Sequence, residues 1–231
     1  MSPAMKISIV IPTLNEAPTI EATLAALQPL RGNEMEVIVV DGGSVDATIA
    51  LATPLADRLL VAARGRAVQM NAGAAQARGD VLVFLHADTI LAPAAVATML
   101  AKLATTCRRW GRFDVTIVGR LRLLKLIAAL MNWRSRITGI ATGDQAIFVD
   151  RALFEAVGGF APLPLMEDIA LSKMLKRVAG APLCLSTRIV TSGRRWEARG
   201  LWRTIVCMWR LRLWFLLGVD PARLARSYER P

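Results

Sequence analysis

Cysteine and histidine are scarce in this 231-residue chain. The three cysteines, Cys107, Cys184 and Cys207, are odd in number and far apart, and no Cys-x-x-Cys pair occurs. Neither a zinc site nor a disulfide framework is indicated, and a reducing compartment fits. His86 is the single histidine. No GxGxxG follows the first apolar segment, which argues against a dinucleotide fold. No Walker-type GxxxxGK(S/T) occurs, which excludes a P-loop. Internal repeats, low-complexity tracts and long linkers are lacking, so one domain with a C-terminal appendage is expected. The amino terminus shows no cleavable signal pattern, having one lysine before an apolar segment.

Apolar residues, by contrast, make up 54% of the chain, which argues against disorder. Charge is uneven. Residues 1–107 hold 7 Lys/Arg and 9 Asp/Glu; residues 108–231 hold 22 and 9, together with all six tryptophans. A basic, Trp-rich second part suggests an anionic partner such as a membrane, a nucleic acid or a phosphorylated ligand, although a solvated basic face has the same composition. No helix-turn-helix or RNA-recognition aromatic pattern is apparent, so no nucleic-acid partner is expected.

The organising stretch is Asp80–Asp88, in which Val81 to Leu85 run into the polar His86-Ala87-Asp88. A short continuous apolar run reads as a strand buried on both faces. Its carboxyl end carries an acid to the place where open α/β sheets bind ligands. A carboxylate there suits a divalent cation held against a diphosphate; Asp88 lies several residues too early to cap a helix starting near Pro93. Further strands are expected at 5–12, 35–40 and 59–62, alternating with helices at 17–28, from Asp46, and at 64–77. This pattern means right-handed βαβ units and a parallel sheet. Polar residues gather at the strand ends: Asn15 and Glu16, Asp41 and Ser44, Arg64 and Arg66, His86 and Asp88. Beyond a helix near 93–104, an antiparallel strand at 112–118, a helix at 120–134, a strand at 146–149, a helix from Glu167 to Val178 and a strand at 183–190 are expected. Residues 200–217 form an apolar helix with three arginines.

Together these residues resemble the family-two glycosyltransferases of GT-A fold. The resemblance rests on Ile11-Pro12-Thr13-Leu14-Asn15-Glu16, Val39-Val40-Asp41-Gly42-Gly43-Ser44-Val45-Asp46, Leu85-His86-Ala87-Asp88-Thr89, Gly143-Asp144-Gln145, Met166-Glu167-Asp168 and Ser192-Gly193-Arg194-Arg195-Trp196. Each string alone is weak; six in order over about residues 6–200 are strong. The resemblance implies a mostly parallel mixed sheet and an inverting hexosyl transfer from a UDP- or GDP-sugar to an acceptor hydroxyl. It implies that Asp41 accepts from the base N–H, with Pro12, Glu16 and Ser44 in the nucleotide pocket. Arg64 and Arg66 would approach the diphosphate. Asp88 would hold Mg²⁺ or Mn²⁺, with His86 as a second ligand or a supporting group. The first acid of the family's DxD segment is replaced here by His86. Asp168 would be the general base. Gly143, Asp144, Gln145 and Glu167 would serve the acceptor side, and Arg194, Arg195 and Trp196 would close over the diphosphate or the acceptor.

Plainer roles exist for several of these residues. Asp41 and Asp46 could cap a helix, Gly42 and Gly43 could merely turn the chain, Gln145 could simply pack, and an acidic pair suits the start of any helix. The expected organisation is a transferase domain over 1–199, with a nucleotide half 1–107 and an acceptor half 108–199, followed by a basic amphipathic appendage at 200–231. In that appendage Trp202, Val206, Trp209, Leu213 and Leu217 recur at helical spacing. Its arginines argue against a membrane span, at ~2.5–3.5 kcal/mol per central Arg on an insertion scale. Peripheral contact through 200–217 is expected, or packing onto the domain or a homodimer partner. The expected location is cytoplasmic, peripheral on the inner membrane face, with a lipid-linked or membrane-near acceptor. The rivals are a sugar-1-phosphate nucleotidyltransferase, which would want a Gly-rich, Arg-containing loop after the first strand, and a non-catalytic basic membrane-binding module.

Overall fold

The computed structural model describes residues 5–32 and 34–229, apart from the side chains of Arg195, Arg199 and Glu229. The first strands are β1 (Ile7–Thr13), β2 (Met35–Asp41), β3 (Arg58–Val61) and β4 (Val81–Phe84). They pair in parallel, with β1 between β2 and β4 and β3 outside β2. The intervening helices are α1 (Ile20–Leu27), α2 (Thr48–Ala52) and α3 (Arg66–Gln76).

The second part adds β5 (Thr89–Ile90), α4 (Pro93–Thr105), β6 (Trp110–Val118), α5 (Leu124–Thr138), β7 (Ile147–Asp150), α6 (Arg151–Ala156), α7 (Glu167–Ala179) and β8 (Leu183–Ser192). β7 runs antiparallel to β4 and to β6, and β6 runs parallel to β8. One sheet results, in the order β3-β2-β1-β4-β7-β6-β8-β5. The expected halves meeting at residue 107 thus share a sheet, joined by the β4–β7 ladder.

Side-chain alternation along the strands splits the core into two layers. Ile7, Ile9, Ile11, Val37, Val39, Val81 and Val83 face the layer of α1, α4 and α5. Val10, Ile38, Val40, Leu82 and Phe84 face the layer of α3, α6 and α7. Because both faces are covered, these strands read as continuous apolar runs.

Some boundaries differ from expectation. The helix placed at 120–134 lies at 124–138, because Gly139 adopts the left-handed conformation and ends it there, with its N–H on Ser135 O at 2.9 Å. The polar stretch after β8 contains a short helix, α8 (Arg194–Arg199). The expected appendage is two helices, α9 (Leu201–Leu216) and α10 (Pro221–Glu229). Leu211 and Leu224 are buried against Leu165, Met166 and Ile169, so this pair packs on the loop leading into α7.

Candidate active cleft

The cleft is built on the loops at the carboxyl ends of β1, β3 and β4. Asp41, the last residue of β2, is fully buried. Its Oδ1 accepts from Ser44 Oγ at 2.5 Å and Thr13 Oγ1 at 3.2 Å. Its Oδ2 accepts from the amides of Gly43 at 2.8 Å and Ser44 at 2.7 Å. Burial works against its charge, but these hydrogen bonds prevail and hold the carboxyl below the ordinary aspartate value. Four donors fill the acceptor capacity of a carboxylate. In this structure those four bonds tie Asp41 to its own loop. Ser44 is likewise engaged, its Oγ accepting the Asn15 amide at 2.8 Å. Neither residue lines the cleft cavities.

The larger cavity, about 640 Å³, is lined by Pro12 and Glu16, by Arg64 and Arg66, and by His86 and Asp88, with a far wall of Pro162–Leu165. Asn71 holds that wall's approach: its side-chain amide both donates to Phe160 O at 2.8 Å and accepts from Phe160 N at 2.9 Å. Gln69, buried beneath the cavity, donates to Thr13 O and Val40 O at 2.8 Å each, tying α3 to the ends of β1 and β2. The sequence alone singles out neither, since an amide's long-range partners leave no local signature.

A second cavity of about 100 Å³ adjoins the first, sharing Arg66, His86, Asp88, Leu165 and Tyr228 as lining. It is bounded by Gly143, Asp144, Asp168 and Trp196, and on α9 by Thr204, Met208 and Arg212. Asp168 stands in the first turn of α7. Its Oδ2 accepts from Gly143 N at 2.9 Å and its Oδ1 from Ile169 N at 2.7 Å. His86 Nδ1 lies 3.2 Å from Asp144 Oδ1. A Cβ on Gly143 would collide with His86 Nε2, so only glycine allows this approach. Gln145, fully buried, bonds to Thr142 and to Asn132 Oδ1 at 3.3 Å, and so supports the turn from below.

Charged neighbours around the cleft also pair with one another. Arg66 Nε donates to Glu167 Oε1 at 2.8 Å. Burial pushes the Glu167 carboxyl up, Arg66 opposes this, and the charge of Asp168 adds to it. Arg194 is bonded to Glu16 at 2.7 Å and itself lines neither cavity, so it stands at the rim beside Glu16. The side chain of Arg195 lies outside the described residues. Arg134 on α5 was not foreseen: burial pulls its guanidinium below the ordinary value, while the charges of Asp168 and Asp144 oppose that. Three non-glycine residues have positive φ among those described, Asn15, Ala146 and Met166, and each belongs to or adjoins a motif of the cleft. Such backbone costs of order 1–3 kcal/mol each cluster where geometry is over-determined for function.

A divalent cation can be tested against these donors. Among the described residues no group of three His, Cys, Asp or Glu side chains could hold a metal. Asp88 and His86 nevertheless both line the junction of the cavities. Mg²⁺ is commonly held by one or two carboxylates, with waters and substrate phosphates completing its shell. The residues present fit a cation that arrives with a diphosphate, and do not fit an all-protein cage.

Comparison with known proteins agrees with this architecture. The chain is 27% identical over 220 residues to the poly-beta-1,6-N-acetyl-D-glucosamine synthase of Staphylococcus aureus (strain COL), covering 85% of this chain and 53% of that protein. It is 35% identical over 177 residues to a PGL/p-HBAD biosynthesis glycosyltransferase of Mycobacterium bovis (strain BCG / Pasteur 1173P2), covering 66% of this chain and 62% of that one. It thus spans between half and two thirds of the length of these relatives. The glucosyl-3-phosphoglycerate synthase of Mycobacterium tuberculosis, solved with Mn²⁺, UDP and glucosyl-3-phosphoglycerate, shares the fold, with a TM-score of 0.62, 24% identity, and coverage of 81% of this chain and 71% of that one. The sheet is the mixed, helix-flanked sheet of the GT-A fold. The model of glycosyl transferase family 2 matches residues 8–152, from β1 to the start of α6, and the chain belongs to that family.

Proposed function

We propose that this chain transfers a sugar from a nucleoside-diphosphate sugar to an acceptor hydroxyl, with inversion at the anomeric carbon. The observation that carries this reading is the two-lobed cleft. Arg66, His86 and Asp88 stand where the lobes meet, and Asp168 lines the smaller one. The larger lobe falls within the ~300–1,000 Å³ usual for small-molecule sites, enough for a nucleotide sugar. The smaller admits only the reacting end of an acceptor.

On this reading the acceptor oxygen attacks the anomeric carbon as the bond to the diphosphate breaks. The bonding pair leaves on the phosphate oxygen, and the hydroxyl proton passes to Asp168. The amides of Gly143 and Ile169 orient that carboxylate. Arg64 and Arg66 face the lobe that would hold the diphosphate, and guanidinium forks suit phosphate oxygens. Asp88, with His86 beside it, would hold Mg²⁺ or Mn²⁺. When bound, such a cation stabilises the negative charge developing on the departing nucleoside diphosphate. The Mn²⁺ and UDP named with the Mycobacterium tuberculosis structure support this choice of donor and metal. For the acceptor, a lipid-linked or membrane-near molecule fits the basic, Trp-rich outer face of α9.

The test is a thermal-shift panel of UDP, GDP and other nucleoside diphosphates, each with and without Mn²⁺. Selective stabilisation by one nucleotide, enlarged by Mn²⁺, is expected because ligands that bind only the folded state raise its stability. No response to any nucleotide would remove the reading.

A further inference from the structure

Two helices of this fold carry apolar stripes on the solvent side. On α5, Leu126, Leu130, Trp133 and Ile137 are each more than half exposed. On α9 the same holds for Trp202, Val206, Trp209, Leu213 and Leu216. Both series advance by alternating steps of three and four, the spacing that keeps side chains on one helix face. The helices belong to one side of the sheet: Leu124, Ile127, Ala128 and Met131 of α5 and Leu201 and Ile205 of α9 pack in the same core cluster. They also share a corner, where the Arg120 amide before α5 donates to Glu197 of α8.

Charge identifies what covers them. Residues 115–143 contain five Lys/Arg and no Asp or Glu; residues 198–219 contain four and none. Arg122, Lys125, Arg203 and Arg210 are exposed. A second copy of the chain would bring like charge against like charge. Neither helix crosses a bilayer, since no helix among the described residues is long and apolar enough. Apolar stripes with tryptophan, flanked by cations without anions, match a helix lying in the interface of an anionic membrane.

We propose that α5 and α9 together form a surface that docks this chain on an anionic lipid bilayer. The inner face of α9 presents Thr204, Met208 and Arg212 to the smaller lobe of the cleft. Docking therefore sets that lobe beside the bilayer surface, where an amphiphile can offer a hydroxyl while its tail stays in lipid. This last step rests on the glycosyl-transfer reading; the docking itself does not.

The experiment is sedimentation of the whole chain with vesicles of phosphatidylcholine alone or with added phosphatidylglycerol, at low and high salt. Retention on the anionic vesicles should be stronger by about tenfold or more and should weaken with salt. Leu130→Ser/Trp133→Ser and Trp202→Ser/Trp209→Ser should each release the protein. Lys125→Glu/Arg203→Glu should do so without touching an apolar residue, which guards against misfolding as the cause. Equal retention on both vesicle types, or unchanged binding in either serine pair, would overturn the joint surface. So would a solution dimer that the serine pairs dissociate without loss of vesicle binding. Asp168→Asn should bind vesicles as the wild type does. Vesicle binding lost with nucleotide binding intact refutes the surface alone; the converse refutes the transfer reading alone.

Discussion

The backbone amide of Gly143 donates to Oδ2 of Asp168 at 2.9 Å, joining a turn before β7 to the first turn of α7. Glycine is required at that turn because His86 packs directly against it. One backbone contact thus sets the candidate base relative to the residue beside Asp88. The same contact ties two walls of the smaller lobe together.

If Asp168 is the base, Asp168→Asn should keep donor binding near wild type and lower transfer by ~10²–10⁴-fold, the usual worth of general-base catalysis. The amide keeps an oxygen for Gly143 N and gives up only the bond from Ile169 N, so the turn should survive. Calorimetry of nucleotide binding beside a transfer assay checks this. Survival of turnover here, with its loss in Asp144→Asn, would exchange the two roles.

Asp88→Ala should abolish the gain in nucleotide affinity that Mn²⁺ confers and leave thermal stability nearly unchanged. Among the described residues the Asp88 carboxylate has only long contacts, 3.4 Å from Thr89 Oγ1 and 3.4 Å from Thr191 Oγ1. Titrating UDP and GDP with and without Mn²⁺ reads the effect, and equal Mn²⁺ enhancement in the variant would exclude Asp88 as a ligand.

Asp41→Asn should act through the fold. Four hydrogen bonds hold the native carboxylate, and an amide cannot accept them all, so a loss of about 1–3 kcal/mol at neutral pH is expected. Because the folded-state pKa lies below the ordinary value, the stabilisation exists above the unfolded pKa and vanishes as pH falls through the folded one. Urea unfolding should show the gap between wild type and variant closing below about pH 4.

Glu167 should give the opposite slope. Its carboxyl is raised by burial, so the unfolded chain releases the proton first as pH rises past about 4.3. Stability then declines through the folded pKa. Glu167→Gln cannot titrate, and the difference in unfolding free energy should shift in the variant's favour between pH 4 and pH 7. Parallel wild-type and variant profiles would contradict the raised value.

The strand runs of β1, β2 and β4, the alternation with helices and the motif strings were all legible in sequence. Burial on both faces of a parallel sheet forces continuous apolar segments, and loops at strand ends must carry the polar chemistry. Sequence alone thus determined the fold class and brought Pro12, Glu16, Arg66, His86, Asp88 and Asp168 into consideration. It could not assign their partners. Glu16 meets Arg194 across the whole domain, Arg66 turns to Glu167, and Asp41 spends its carboxylate on its own loop. The C-terminal helix was readable as amphipathic, but its inward face on the cleft and the matching stripe on α5 were not. Local periodicity reports that a face is apolar, whereas what covers it depends on contacts between residues far apart in the chain, which only the tertiary structure decided.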